Sequence, residues 1–214
     1  MGAVAVIDFE TTGISPAQGA RATEVAIVLL EDGRIVDRYQ SLMNAGVSIP
    51  PFITQLTGIS NAMVARAPSA EQVMREASRF VGDAPMVAHN AAFDRRFWVA
   101  ELDRAGLPAP QPYACTLLLA RRLYPQAPDH KLGTLVDFHG LPRTGAAHRA
   151  LADAEMAAGL LLRIRHDLQQ RLALSRVDHE LLVSLQQCQR HEIRAWMARQ
   201  SGQGNRPGRI IEAH

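Results

Sequence analysis

Lysine is almost absent from this chain: among 23 basic residues only Lys131 is one, and the others are arginines. The formal net charge of +2 excludes a polybasic nucleic-acid glue. Arginine suits phosphate through its bidentate fork, yet genome composition explains the bias as well and is the preferred reading. The C-terminal end is locally basic, with Arg190, Arg194, Arg199, Arg206 and Arg209. Cysteine is scarce too. Cys115 and Cys188 are far apart, which argues against a disulfide framework and for a reducing cytoplasm. Cys115 reads as a small buried hydrophobe. No run of about eighteen apolar residues occurs, so no transmembrane helix and no membrane partner are expected. The N-terminus has no basic n-region or cleavage site, so no signal peptide is expected.

What is present fits a globular α/β domain. The chain has 214 residues, 47% of them hydrophobic, enough for one medium domain with or without an appendage. Val4–Phe9 reads as a first strand. Residues 24–30 and 34–42 read as two more, joined at the hairpin signal Asp32-Gly33. "SIPPFITQLTGIS" reads as a Pro-interrupted loop. Residues 69–81 have helical spacing, with Ser69 as N-cap. "APMVAHN" reads as a short buried strand, and Ala91–Ala105 as a helix closed by Gly106 and Pro108. Further helices are predicted over 116–123, 131–138 and 146–172, then a separate amphipathic one over 178–199. The tail from Ser201 reads as flexible. This order suggests a mixed sheet with a three-stranded antiparallel meander.

Three places carry candidate chemistry. In "VAVIDFETTG", Asp8 and Glu10 end an apolar strand and point to one face. Two carboxylates that close repel each other, and burial raises the cost, so a cation is expected between them. In "HNAAFD", Asn90 ends a strand and Asp94 lies in the first turn of the next helix. In "HRALAD", His148 and Asp153 are five residues apart, about 500° of helix rotation, so they point roughly 140° apart. His148 is therefore expected on a loop before the helix, reaching over a site that Asp153 enters from the helix. The alanines beside Asp153 would let that helix approach the sheet closely. Each piece alone is weak. D-x-E at a strand end is common, and an Asp in a first turn often only complements the helix dipole.

Together, and in this order, the chain resembles the DEDDh group of the DnaQ-like 3′–5′ exonuclease superfamily. It is most similar to the epsilon-type proofreading exonucleases of bacterial DNA polymerase III and their stand-alone relatives. The matching segments are "IDFETTG", "HNAAFD" and "HRALADA", with weaker matches in "IPPFITQLTGIS", "CTLLLARRLYP" and "HKLGTLVDFHGL". The resemblance covers roughly residues 3–170. It implies an RNase H-like fold with a five-stranded mixed sheet flanked by helices. It implies two divalent ions, Mg²⁺ or Mn²⁺, about 3.5–4 Å apart, held by Asp8, Glu10, Asp94 and Asp153. Hard oxygen ligands suit these ions. His148 would be the general base, which needs the neutral ring, so activity should rise between about pH 6 and 8. Thr11, Thr12 and Gly13 would meet the terminal sugar, Leu56 and Thr57 the terminal base, and Asn90 and Phe93 the incoming strand. Core packing stays an equal alternative for Phe93 and Leu56.

The implied activity is metal-dependent hydrolysis of single-stranded or frayed DNA 3′ ends to 5′-mononucleotides, in proofreading or repair. Two alternatives stay open: a DEDDh exoribonuclease, and an accessory subunit whose main role is to bind a polymerase. On this reading residues 1–172 form the exonuclease domain. Residues 173–214 would be a C-terminal helix and tail, packed on the core or serving a polymerase, a sliding clamp or a second copy. "QRLAL", residues 170–174, is only faintly like a clamp-binding peptide. His179, Cys188 and His191 lack the spacing of a standard zinc site. His139, before Gly140, reads as a helix C-terminal cation; His89 and His130 read as structural.

Overall fold

The computed structural model describes residues 2–145 and 148–203. Strand β1 (Val4–Thr11) is followed by β2 (Ala22–Glu31) and β3 (Arg34–Leu42). Helices α1 (Pro51–Thr57), α2 (Asn61–Val64) and α3 (Ala70–Val81) lead to β4 (Met86–Ala88) and α4 (Ala91–Arg104). Then come β5 (Tyr113–Cys115), α5 (Thr116–Leu123), α6 (Leu132–Phe138), α7 (Ala150–Leu172), α8 (His179–Gln187) and α9 (Ile193–Gln203). The sheet order is β3-β2-β1-β4-β5. The first three strands pair antiparallel, and β4 and β5 add in parallel.

The pleat of β1 divides the core. Val4 and Val6 face α5 and the alanine-rich side of α7, where Ala150, Ala154, Ala157 and Ala158 allow close approach. Ala5, Ile7 and Phe9 face α3 and α4, against Val73, Ala77, Phe97 and Trp98. Asp8 and Glu10 continue the Val4–Val6 row, so the strand that builds the core also aims both carboxylates toward α7.

Six sequence expectations change. The "SIPPFITQLTGIS" segment contains helix α1, because Pro51 sits in the first turn, where no N–H is needed, and Gly58 closes it at φ 74°. Strand β5 has only three residues after a proline-rich run, too short for a periodic signal. The 178–199 helix is two. The chain is extended at Cys188 (ψ 135°), and a reciprocal Gln189–Glu192 capping box restarts it toward α9. Ser201–Gln203 belong to α9, and the rest of the tail, 204–214, lies outside the described residues. Helix α7 begins at Ala150, not at 146; residues 146–147 also lie outside the described set. His139 is not a cation at a helix end: burial, then Arg163, hold its pKa below the usual value, and its ring packs edge-on against Tyr124.

The C-terminal helices spend their apolar faces internally. Leu182, Leu185, Cys188 and Trp196 join the core cluster of α5 and α7. Gln186 caps the outer edge of β5, accepting from the Cys115 N–H and donating to the Tyr113 carbonyl. Leu172 is 1% exposed, so "QRLAL" is not displayed as a free peptide. No helix among the described residues is long and apolar enough to cross a membrane.

Candidate active site

The ends of β1, α4 and α7 converge. Glu10 comes from β1 and Asp153 from the first turn of α7. His148 precedes that helix with φ 60°. One ligand atom from each of Glu10, His148 and Asp153 lies within 4.8 Å of the others, the only such group of His, Cys, Asp and Glu among the described residues. The offset expected between His148 and Asp153 is bridged by the backbone: the His148 N–H donates to Asp153 Oδ2 at 2.9 Å. His148 is therefore held by its main chain while its ring stays exposed. Asp94, 2% exposed, accepts from the Phe9 N–H at 3.2 Å, which ties α4 to the strand between Asp8 and Glu10.

These carboxylates crowd one another. Burial pushes Asp8 well above the usual carboxylate range, and the charges of Asp94, Asp153, Glu10 and Glu24 push the same way. Burial likewise pushes Glu10 up to about 7, with Asp153 and Glu24 adding to it and Arg149 opposing. Asp94 is pushed up to about 8 by burial, against the hydrogen bonds from its own and Phe9's N–H. Asp153 is raised by burial, with the His148 N–H and His148 opposing. An acidic cluster crowded in this way is a hard-oxygen donor set, and it fits divalent metal ions.

Asp8, His148 and Asp153 lie where two cavities meet. The larger, about 740 Å³, is lined by Asp8, Glu10, Thr11, Thr12, Gly13, Leu56, Thr57, Phe93, His148 and Asp153, among others. Its rim is apolar and open: Ile14, Val47, Phe52 and Leu56 are 75, 41, 65 and 52% exposed. Leu56 is thus not core. Phe93 is half-buried, stacked on Phe97 at 4.9 Å with one side on the cavity. Thr57 is buried, its hydroxyl donating to the Ile53 carbonyl and accepting from the Ile59 N–H. Thr11 donates to the Gly13 carbonyl and Thr12 accepts from the Arg21 N–H, so both hydroxyls hold the turn. At Gly13 a Cβ would sit 3.3 Å from that of Ala20, a tight contact that a small shift of Ala20 would have to relieve. Asn90 lies outside the cavity, as the left-handed N-cap of α4 (φ 70°) facing a separate 250 Å³ pocket beside Arg95 and Tyr113.

Two buried glutamates that sequence reasoning passed over brace this assembly. Glu24, 1% exposed, stands opposite Glu10 in the β1–β2 register. It accepts from Arg149 Nη2 (3.1 Å), the Ala150 N–H (3.2 Å) and Gln40 Nε2 (2.8 Å), fixing the start of α7. Glu101, also 1% exposed, accepts two 2.9 Å bonds from Arg21 and one from the Ala22 N–H, fixing α4 to the start of β2. The available signals were a glutamate opening the apolar run "EVAIVLL", and Glu101 seven residues after Asp94 on the same helix face as Phe97 and Trp98.

Comparison with known proteins agrees with this geometry. The family model described as Exonuclease (RNase T) matches residues 5–161. The 3′–5′ exonuclease DinG of Bacillus subtilis is 40% identical over 166 residues, 77% of this chain and 18% of that protein. A PolC-type DNA polymerase III of Halalkalibacterium halodurans is 38% identical over 167 residues, 78% of this chain and 12% of that protein. This chain thus spans under a fifth of the length of these curated relatives. Among solved structures, exonuclease X in complex with 5′-overhanging duplex DNA is 31% identical. It superposes with a TM-score of 0.67, covering 86% of this chain and 99% of that one. The chain belongs to the RNase T exonuclease family, with the DnaQ-like fold and the DEDDh residue pattern.

Proposed function

We propose that this chain is a metal-dependent 3′–5′ exonuclease that releases 5′-mononucleotides from single-stranded or frayed DNA 3′ ends, in proofreading or repair. The observation that carries this is the meeting of Glu10, His148 and Asp153 donor atoms at the mouth of an apolar-rimmed cavity. Asp8, Glu10, Asp94 and Asp153 would hold two divalent ions, which when bound supply charge neutralisation and a more acidic water. His148, exposed beside the carboxylates, takes the proton of the attacking water on a ring nitrogen and passes it to solvent. The apolar rim of Ile14, Phe52, Leu56 and Phe93 receives the terminal base by stacking, which every base permits. The turn over Thr11, Thr12 and Gly13 meets the terminal sugar through its backbone and through the Thr12 O–H, since Thr11 spends its proton on the Gly13 carbonyl whereas Thr12 only accepts, from the Arg21 N–H.

DNA is favoured as substrate because the 31% identical exonuclease X was solved on duplex DNA with a 5′ overhang. Docking of a polymerase or clamp through the C-terminal helices would have to use their polar surface. Cutting the chain after Leu172 would remove core residues Leu182, Leu185 and Trp196 along with any dock.

The test is digestion of 5′-labelled DNA and RNA single strands with Mg²⁺, Mn²⁺ or EDTA, with Asp8→Asn in parallel. A metal-dependent ladder shrinking from the 3′ end, stronger on DNA and absent in the variant, is the expected result. A stronger RNA ladder would move the substrate to RNA, and no ladder with any metal would refute the activity.

A further inference from the structure

The second cavity at the site differs from the first in the charged side chains that line it. It measures about 520 Å³ and shares Asp8, His148 and Asp153 with its neighbour, so the two adjoin at the candidate site. Its remaining lining adds the polar and charged side chains of His89, Lys131, Thr134, Asp137 and Arg143, here called the polar lobe, to Leu132, Gly133 and Met156. No lysine or arginine lines the apolar lobe. In the polar lobe the charge of Arg143 is spent, because it donates to both oxygens of Asp137 at 3.0 and 2.7 Å. His89 is neutral, held down to about 4 chiefly by burial. Lys131, the one lysine in the chain, is exposed, and beside it the Lys131 N–H, the Thr134 hydroxyl and the Lys131 charge hold the Asp129 carboxyl below the usual range.

The backbone at Lys131 is built into the site. The His130 carbonyl can only accept, so His89 Nε2 donates to it at 3.0 Å, and the neutral ring then accepts from Thr116 Oγ1 on Nδ1 at 2.9 Å. His130 Nε2 is tied to the Tyr124 carbonyl at 3.1 Å. Asp129 accepts from the Lys131 N–H at 2.8 Å. Two histidines that the catalytic site does not use thus pin the segment carrying Lys131 to the end of β4, one residue after that strand.

We infer that the polar lobe carries the nucleic-acid strand upstream of the scissile bond, and that Lys131 contacts its phosphates there. A 3′ end has two unlike parts: a terminal base that gains from apolar contact, and a following polyanionic backbone that gains from a free cation. The two cavities offer one place for each, and they adjoin at Asp8, His148 and Asp153. This inference rests on the exonuclease reading and adds the path of the strand and a residue that selects for polymer length.

The test compares thymidine 5′-(4-nitrophenyl phosphate), which has no upstream nucleotide, with oligothymidylates of increasing length, using full-length wild type, Lys131→Ala and Lys131→Arg. In Lys131→Ala the ratio of kcat/KM on a hexamer to that on the ester should fall about tenfold, mainly through KM. Lys131→Arg should restore most of it. The plot of log kcat/KM against log salt on the hexamer should become shallower by about 0.7, one single-strand phosphate contact. An equal loss on ester and hexamer, or an unchanged salt slope, would overturn the strand path while leaving the exonuclease reading in place. Wild type inert on both substrates would sink both.

Discussion

The helices that deliver the candidate catalytic residues are braced in the same way but present those residues differently. On α4, Asp94 is 2% exposed and locked to the β1 backbone, with Glu101 welding the helix to Arg21. On α7, Glu24 holds the helix start through Arg149 and Ala150, yet His148 stands just outside the helix with its ring in solvent. The difference follows the chemistry. Groups that hold ions gain from rigidity and low dielectric, whereas a base that takes a proton from water must meet water and release that proton.

The strongest test of this contrast is Asp8→Asn. Activity should fall roughly 10³-fold or more, as for loss of a principal electrostatic group. In the metal-free protein the same change should raise Tm by a few degrees, because it removes one of several mutually repelling buried charges. Thermal melts in EDTA check this, and a lower Tm would mean that Asp8 is a structural ligand. His148→Asn should lower kcat about 10²–10⁴-fold while leaving stability within about 0.5 kcal/mol. Asparagine is chosen because it tolerates the φ of 60° found there. A large loss of stability would erase the distinction between the exposed and the buried side.

The braces should separate the two helices. Glu101→Ala leaves Arg21, 19% exposed, without its partner, whereas Glu24→Ala leaves Arg149, 43% exposed. Removing one partner of a well-buried pair costs about 3–5 kcal/mol, so Glu101→Ala should approach that range and Glu24→Ala fall below it. Urea titration ranks them. Glu24→Gln should cost only about tenfold in kcat, by loosening the His148–Asp153 hydrogen bond within an intact fold. The smallest effect concerns pH. Carboxyls whose folded pKa is raised give the metal-free protein stability that is complete below about pH 4 and lost as pH rises through about 7 for Glu10 and about 8 for Asp94. Tm in EDTA should therefore fall by about 5 °C from pH 5 to 8, and Mg²⁺ or Mn²⁺ should flatten the slope. A Tm that rises across that range would contradict the repulsive cluster.

Much of this was legible in the residues. The alternation of "VAVIDFET" placed Asp8 and Glu10 on one face because strand side chains repeat every two residues, whatever else surrounds them. The five-residue gap between His148 and Asp153 excluded a shared helix face and put His148 before the helix, where it is found. Helix α1 was missed because its two prolines read as breakers, although the second stands where a first turn tolerates it. Strand β5 was missed because three residues carry no period. The break at Cys188 was missed because apolar residues continue on both sides, Leu182 and Leu185 before it and Ile193 and Trp196 after it, and only the cap geometry reveals it.

What the sequence determined by itself was local: strand pleat, helix period, and the order of the acidic and histidine motifs. These depend on neighbours a few residues apart, and they sufficed for the fold class and the family resemblance. The tertiary structure alone decided which carboxylates crowd one another, which glutamates brace the helices, and that Lys131 and Arg143 line one of the two cavities at the site while no lysine or arginine lines the other. Those properties arise where residues such as Glu24 and Arg149, or His89 and His130, meet across the fold at hydrogen-bond distance. Burial and charge at such contacts are set by packing, and sequence spacing does not encode them.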